Sequence, residues 1–414
     1  MKTASAHLMV GIFALVVAAQ AARAQDPAEL GPAIIHALEF SPDGKTLAAA
    51  TGGESSGGGP VVLWSVAVGA KEWKSRVLTV EPAGCSSVAF SPDGKRLAYG
   101  DWKDKAVVVE VESGEVVQRM QLAYPVPGVA FSPDGSTLAT ACHNKSAYLW
   151  DVESGEELRR FEGHEDRVNS VDISPDGTLL LTSSNDRTVK LWDLASGTEV
   201  YTSPPGGTFG AEFSADGKLF ASAGGDGYTR VRETESRKLV FFPRTPGNAA
   251  RFSPDGDWLA VAVYGSEAKV FRMEMRAPTG TELRRIDELI DVFYGDDYAK
   301  REAASAELAK FGLVAEQRLE EAAASKDAEV RIRGREALRR ARSPEPDQSL
   351  GGLDGRVQSL AFSPDGKLLA VGSRGGDVKV WSVPGFEVVA HLQPANSDRN
   401  PTRRQVMDEQ KTPR

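Results

Sequence analysis

Residues able to do chemistry are few in this chain, and their spacing keeps them apart. Beyond residue 24 there are four histidines, His36, His143, His164 and His391, and two cysteines, Cys85 and Cys142. A metal site needs His, Cys or carboxylate ligands that converge; these fall in different parts of the chain without ligand spacing, so no metal and no cofactor are expected. A nucleophilic centre needs a Ser or Cys presented beside a His. The chain has no Gly-x-Ser-x-Gly elbow, and Cys142 and His143, neighbours on a strand, would point to opposite sides. The glycine-rich Thr51–Gly59 lacks the Lys-Ser/Thr ending and the following helix of a phosphate loop. No catalytic residue is assigned, and the chain is expected not to be an enzyme.

The one pattern that recurs is structural. An aromatic or Ile followed by Ser-Pro-Asp-Gly starts at Phe40, Phe90, Phe131, Ile173, Phe252 and Phe362, and a seventh copy at Phe213 reads Ser-Ala-Asp-Gly. Seven recurring aspartates invite a calcium reading, but each has a turn to build: Pro presets φ, Asp bonds its own backbone and Gly accepts positive φ. Successive starts are 50, 41, 42, 40, 39 and 110 residues apart, so one interval carries an insertion. Within a unit four short β runs alternate with turns; in the fourth they are Val168 to Ile173, Leu179 to Ser184, Val189 to Leu194 and Glu199 to Ser203. Tight hairpins make consecutive runs antiparallel neighbours. Seven such meanders predict an all-β seven-bladed β-propeller of four-stranded antiparallel blades. Three residues before each aromatic stand Ala37, Ser87, Gly128, Ser170, Gly210, Ala249 and Ser359, all small, as crowding near a propeller axis requires.

On Gly163-His164, Asp186 and Leu191-Trp192-Asp193, the fourth unit resembles the WD-repeat family. The resemblance implies a buried structural relay of His164, Thr182 or Ser184, Asp186 and Trp192. It also implies a protein-interaction scaffold. Trp64, Trp150 and Trp381 keep the aromatic, Phe271 replaces it, and Glu110 and Arg232 abandon it, so the relay is expected once at most.

The propeller is assigned to 31–274 and 346–392, with each blade continuous in sequence. In 275–345 the hydrophobic period changes to about 3.6 and four short helices are predicted. This stretch resembles HEAT-type helical repeats over about 60 residues, which implies a protein-binding surface; a plain helical decoration is the other reading. It should lie between strands three and four of blade six, on the face of the Ser-Pro-Asp-Gly turns. Residues 393–414 are polar and Pro-containing and read as a disordered tail.

Lys2, the apolar run Leu8–Ala19 and Ala22-Arg23-Ala24 form a secretory signal over 1–24 with cleavage after Ala24, too short for a membrane span. A secreted or periplasmic protein with no integral span after cleavage is expected. Two cysteines form no disulfide framework; one bond between them is possible, two core thiols being the favoured state. The net charge of −9, or −11 once Lys2 and Arg23 leave, argues against nucleic acid as a partner.

Protein partners and a monomeric state are expected. The binding candidates are Trp102, Lys103, His143, Lys145, Arg187, Tyr228, Tyr264 and Arg374, on the turns between strands two and three, opposite the insertion. The alternative is a small-ligand binder or enzyme, such as a hydrolase, in the central channel, for which Glu39, Asp172, Glu212 and Arg251 are the residues to watch.

Overall fold

Every repeat folds as a four-stranded antiparallel sheet whose strands follow in chain order, giving seven blades in the computed structural model. Residues 34–52, 58–70, 73–206, 208–273 and 278–393 are described; residues 1–24, expected to be an export signal, and almost all of the expected polar tail lie outside them. The inner strands are Ile34–Phe40, Cys85–Phe90, Gly128–Phe131, Val168–Ile173, Gly210–Phe213, Gly247–Phe252 and Val357–Phe362. Among the described residues no helix is long and apolar enough to cross a membrane.

The turn chemistry is the same in every blade. In blade two the Ser91 hydroxyl donates to Asp93 Oδ1 at 2.6 Å, Lys95 N–H donates to the same oxygen at 3.0 Å, and Arg96 N–H donates to Ser91 Oγ at 2.9 Å. Gly94 takes φ of 70°, which a side chain would strain. These turns also lock neighbours together. The proline of one blade lies against the turn glycine of the next, so that a β-carbon placed on Gly94, Gly135, Gly177, Gly217, Gly366 or Gly44 would sit 3.3–3.8 Å from Pro42, Pro92, Pro133, Pro175, Pro254 or Pro364. The last pair joins blade seven to blade one. One pair is missing: blade five has Ala215 instead of proline, and Gly256 of blade six has no neighbour within 4 Å of that position.

The small residue of each inner strand has a steric cause. A β-carbon on Gly128 would stand 3.1 Å from Ser170 Cα of blade four, and one on Gly210 would stand 2.9 Å from the Asn248 carbonyl of blade six. Inner strands of adjacent blades approach backbone to backbone there. Packing closes the ring among the described residues: Ile35, Phe40, Leu47 and Trp64 of blade one share an apolar cluster with Ala361, Leu368, Val380 and Leu392 of blade seven. Each blade supplies its own outer strand, without exchange between first and last blades.

The insertion leaves blade six after its third strand, Ala268–Arg272, and returns to its fourth, Gln348–Leu350. It forms α1 Gly280–Asp291, α2 Tyr298–Lys310, α3 Glu316–Ala323 and α4 Ala328–Arg342 around Ile286, Phe293, Leu308, Leu319, Val330 and Ala337. Asp297 and Asp327 cap α2 and α4, and Thr279 with Glu282 forms a capping box on α1. The module docks onto blade five. Leu313 joins Phe241 of blade five and Phe271 and Met273 of blade six in one cluster, and the Arg342 carbonyl accepts from Phe242 N–H at 2.6 Å. Lys238 of blade five pairs with Glu320 at 2.6 Å, and Arg342 binds Glu316 and Glu320. The helices thus bridge the one seam that lacks its proline contact.

Candidate functional site

Two places gather polar and aromatic side chains: the channel and its mouth on the face of the two–three turns. The channel encloses about 600 Å³ and is lined by the inner strands of all seven blades. Glu39, Asp172, Glu212 and Arg251 all line it, near the proline-turn end. They also join blades. Glu39 accepts from Phe90 N–H of blade two at 2.8 Å, Asp172 accepts from Phe213 N–H of blade five at 2.8 Å, and Arg251 donates to Glu212. Burial pushes Glu39 and Glu212 up to about 8 and Asp172 up to about 6, the pull of Arg251 acting against it.

At the opposite mouth the inner strands carry β-bulges. Pairing skips one residue between Ile35 and Ala37, Cys85 and Ser87, Val168 and Ser170, Gly247 and Ala249, and Val357 and Ser359. The skipped residues are His36, Ser86, Asn169, Asn248 and Gln358. A bulge frees a side chain from the ladder and re-aims it, and His36, Ser86, Asn248 and Gln358 line the channel.

The candidate binding residues divide among these surroundings. Trp102, 38% exposed, meets His36 edge-on at 5.2 Å and His143 at 6.2 Å, forming one continuous arc. Burial and the charge of Arg374 lower His36 to about 4, so it is neutral. Tyr264, 38% exposed, packs edge-on against Phe209 at 6.2 Å and under the Arg356 guanidinium at 4.0 Å. Gly225 makes the second arc possible, since a β-carbon there would lie 3.0 Å from the Tyr264 hydroxyl and 3.4 Å from the Phe209 ring. Tyr228 lies outside both arcs beneath Arg230, which Asp226 holds. Lys103 is exposed and faces Asp104 at 3.9 Å. Lys145 and Arg187 are exposed turn residues at φ of 76° and 73°, and Arg374 is exposed on the blade-seven turn. Sequence reasoning missed Phe209, Asn248, Arg356 and Gln358. For Phe209, Asn248 and Gln358 the signal was present, because the position just before the always-small one varies most from repeat to repeat.

The buried polar network lies in blade four. His164 Nδ1 meets Asp186 Oδ2 at 2.7 Å, His164 Nε2 meets Thr182 Oγ1 at 2.8 Å, and Trp192 Nε1–H donates to Thr182 Oγ1 at 2.9 Å. Against the opposing effect of burial, hydrogen bonds from Thr188, Glu165 N–H and His164 hold Asp186 down to about 2. Burial lowers His164, so the neutral ring donates from Nδ1 to the carboxylate and accepts at Nε2 from Thr182. Ser184 takes no part in the His164–Thr182–Trp192 chain; its hydroxyl accepts from Asp186 N–H at 3.0 Å and donates to the Asp166 carbonyl at 3.0 Å. Blade three keeps half the network, Trp150 Nε1–H to Thr140 Oγ1 at 3.0 Å. In blade seven Asp377 accepts from Asp354 N–H at 2.9 Å, as Asp186 does from Glu165.

The sequence profile described as WD domain, G-beta repeat matches residues 119–151, 155–193 and 345–382. Three stretches of the chain thus match WD repeats, set in seven four-stranded antiparallel blades that are consistent with a WD-repeat propeller. Each matched stretch begins near an outer strand and ends one residue after a tryptophan, Trp150, Trp192 or Trp381. WD repeats generally serve as scaffolds for protein interaction, and the matched repeats suggest that general role here. A search of curated proteins found no match to the chain. Cys85 and Cys142 are buried and free, and among the described residues no group of three or more His, Cys, Asp or Glu side chains is arranged to hold a metal ion.

Proposed function

We propose that this protein is an exported interaction scaffold that captures protein partners at the channel mouth on the face of the two–three turns. The observation that carries the reading is the pair of arcs, His36–Trp102–His143 and Phe209–Tyr264–Arg356, each continuous and partly exposed. Aromatic and Arg side chains dominate interface energetics because they bury large area at little conformational cost. The signal-like pattern of residues 1–24 supports export to a secreted or periplasmic fraction. The helical module, with Tyr294 and Tyr298 more than 60% exposed, offers a second surface on another side of the ring.

Affinity capture from the exported fraction tests this. Trp102→Ala and Tyr264→Ala should each lose the captured partner while unfolding stays within about 1 kcal/mol of wild type; undiminished capture by both would reject the mouth. Peptide mapping of the mature chain should find Gln25 first, and an intact Met1 would reject export.

The convergence of Glu39, Asp172, Glu212 and Arg251 on the channel supports a second reading, a small ligand held inside it. Their existing bonds between blades supply a structural use for the same groups. A ligand there would protect Glu39 and Asp172 from carbodiimide labelling when present.

A further inference from the structure

The scaffold reading leaves the chemistry of the partner unspecified, and Arg356 narrows it. Its guanidinium lies 4.0 Å above the Tyr264 ring, and one Nη donates to Asn248 Oδ1. Asn248 is fixed in turn, donating to the Val357 carbonyl at 3.2 Å and to Gln358 Oε1 at 3.1 Å. The Arg356 Nε–H is buried without a hydrogen-bond partner, and Arg356 makes no ion pair among the described residues. The acidic group that acts on Tyr264, Asp226, is held by Arg230. Burial and the charge of Arg374 both disfavour the Arg356 cation.

A half-buried guanidinium without an anion is an unfavourable arrangement. Arg251, Arg333 and Arg342, by contrast, are neutralised, by Glu212, by Glu302 and Glu329, and by Glu316 and Glu320 respectively. Arg237 also lacks an ion pair, but it does not adjoin the channel mouth. Arg356 is pre-positioned by a ring and an amide, with exposed Phe209 beside them. A planar guanidinium held in this way matches a carboxylate, which it can bind through two parallel N–H donors. The acidic net charge of −9 disfavours nucleic acid as the partner.

We propose that the Phe209–Tyr264–Arg356 rim binds an acidic side chain, Asp or Glu, of an extended segment in a protein partner. Arg356 takes the carboxylate while Phe209 and Tyr264 pack the flanking apolar groups. This rests on the interaction reading above and specifies its partner.

The test is selection of a random displayed-peptide library on the intact protein, followed by titration of the selected synthetic peptides. Selected peptides should share an Asp or Glu position. Replacing it by Asn or Gln should weaken binding to wild type about tenfold, and Arg356→Gln should weaken the original peptide by the same factor, as for loss of one charge-assisted pair. The peptide substitution reads the effect on wild type alone, so a poorly folded variant cannot obscure it. Peptides that need Tyr264 or Trp102 but share no acidic position, or that ignore both substitutions, overturn this inference and leave the scaffold reading standing. If no peptide is selected, or none is lost on Trp102→Ala or Tyr264→Ala, both readings fail.

Discussion

At the scale of single residues, the buried polar groups bond within and between blades. Thr182 is the centre of the blade-four network, accepting from Trp192 and donating to His164. Thr182→Val should cost about 1–3 kcal/mol by leaving both partners unsatisfied. Thr140→Val, which strands only Trp150, should cost less in the same denaturant titration. The channel carboxylates make a pH prediction. Glu39 is raised from an ordinary 4.5 to about 8 by burial, so the folded state binds its proton more tightly than the unfolded chain does. Its contribution is fully present below pH 4.5 and is lost as pH rises through about 8. Stability of wild type should therefore fall across this window, and Glu39→Gln should flatten the slope in unfolding curves measured at pH 5, 6.5 and 8. Unchanged slope would mean that the Glu39–Phe90 bond holds the charged form.

At the scale of elements, the seam between blades five and six is built differently from the other six. It has Ala215 where proline packs elsewhere, and in compensation it has the Arg251–Glu212 pair and the helices docked through Leu313, Arg342 and Lys238. Ser214 and Asp216 preserve the turn geometry, with Ser214 donating to Asp216 at 2.8 Å, so proline fits at 215 without loss of that bond. Ala215→Pro should stabilise by about 0.4–1 kcal/mol through reduced unfolded-state freedom, visible as a raised Tm. Leu313→Ala should cost about 2 kcal/mol by opening the apolar dock. It should also speed proteolysis between blade five and the helices, and limited digestion followed by mass analysis reads that directly.

For the whole molecule, the ring depends on one apolar join. Gly372 of blade seven faces Ile35 of blade one so closely that an added β-carbon would lie 2.5 Å from Ile35 Cγ2. Gly372→Ala should destabilise by about 1–3 kcal/mol through overpacking, and adding Ile35→Ala should recover part of the loss in a double-mutant cycle. Additive losses would show that the two residues do not press on each other. Seven blades packed around one axis bring a side chain from each repeat to the mouth, and function then depends on which side chains interrupt the repeat.

The repeat period, the hairpin turns, the small inner position and the place of the insertion were legible in the sequence, because each follows from local backbone rules applied seven times. The four helices were legible for the same reason, since periodicity of Leu283, Ile286, Leu289 and Phe293 is local. Which side chains meet was not. Trp102 joins His36 and His143 across three blades, Arg356 reaches Tyr264 and Asn248 of blade six, and Pro42 touches Gly94 of the next repeat. The sequence by itself determined the blades and their order, because hydrogen bonding within a blade joins neighbours in the chain. Only the tertiary structure decided the mouth, the channel and the bridged seam, because their contacts join residues from different repeats, set by how the sheets pack around the axis.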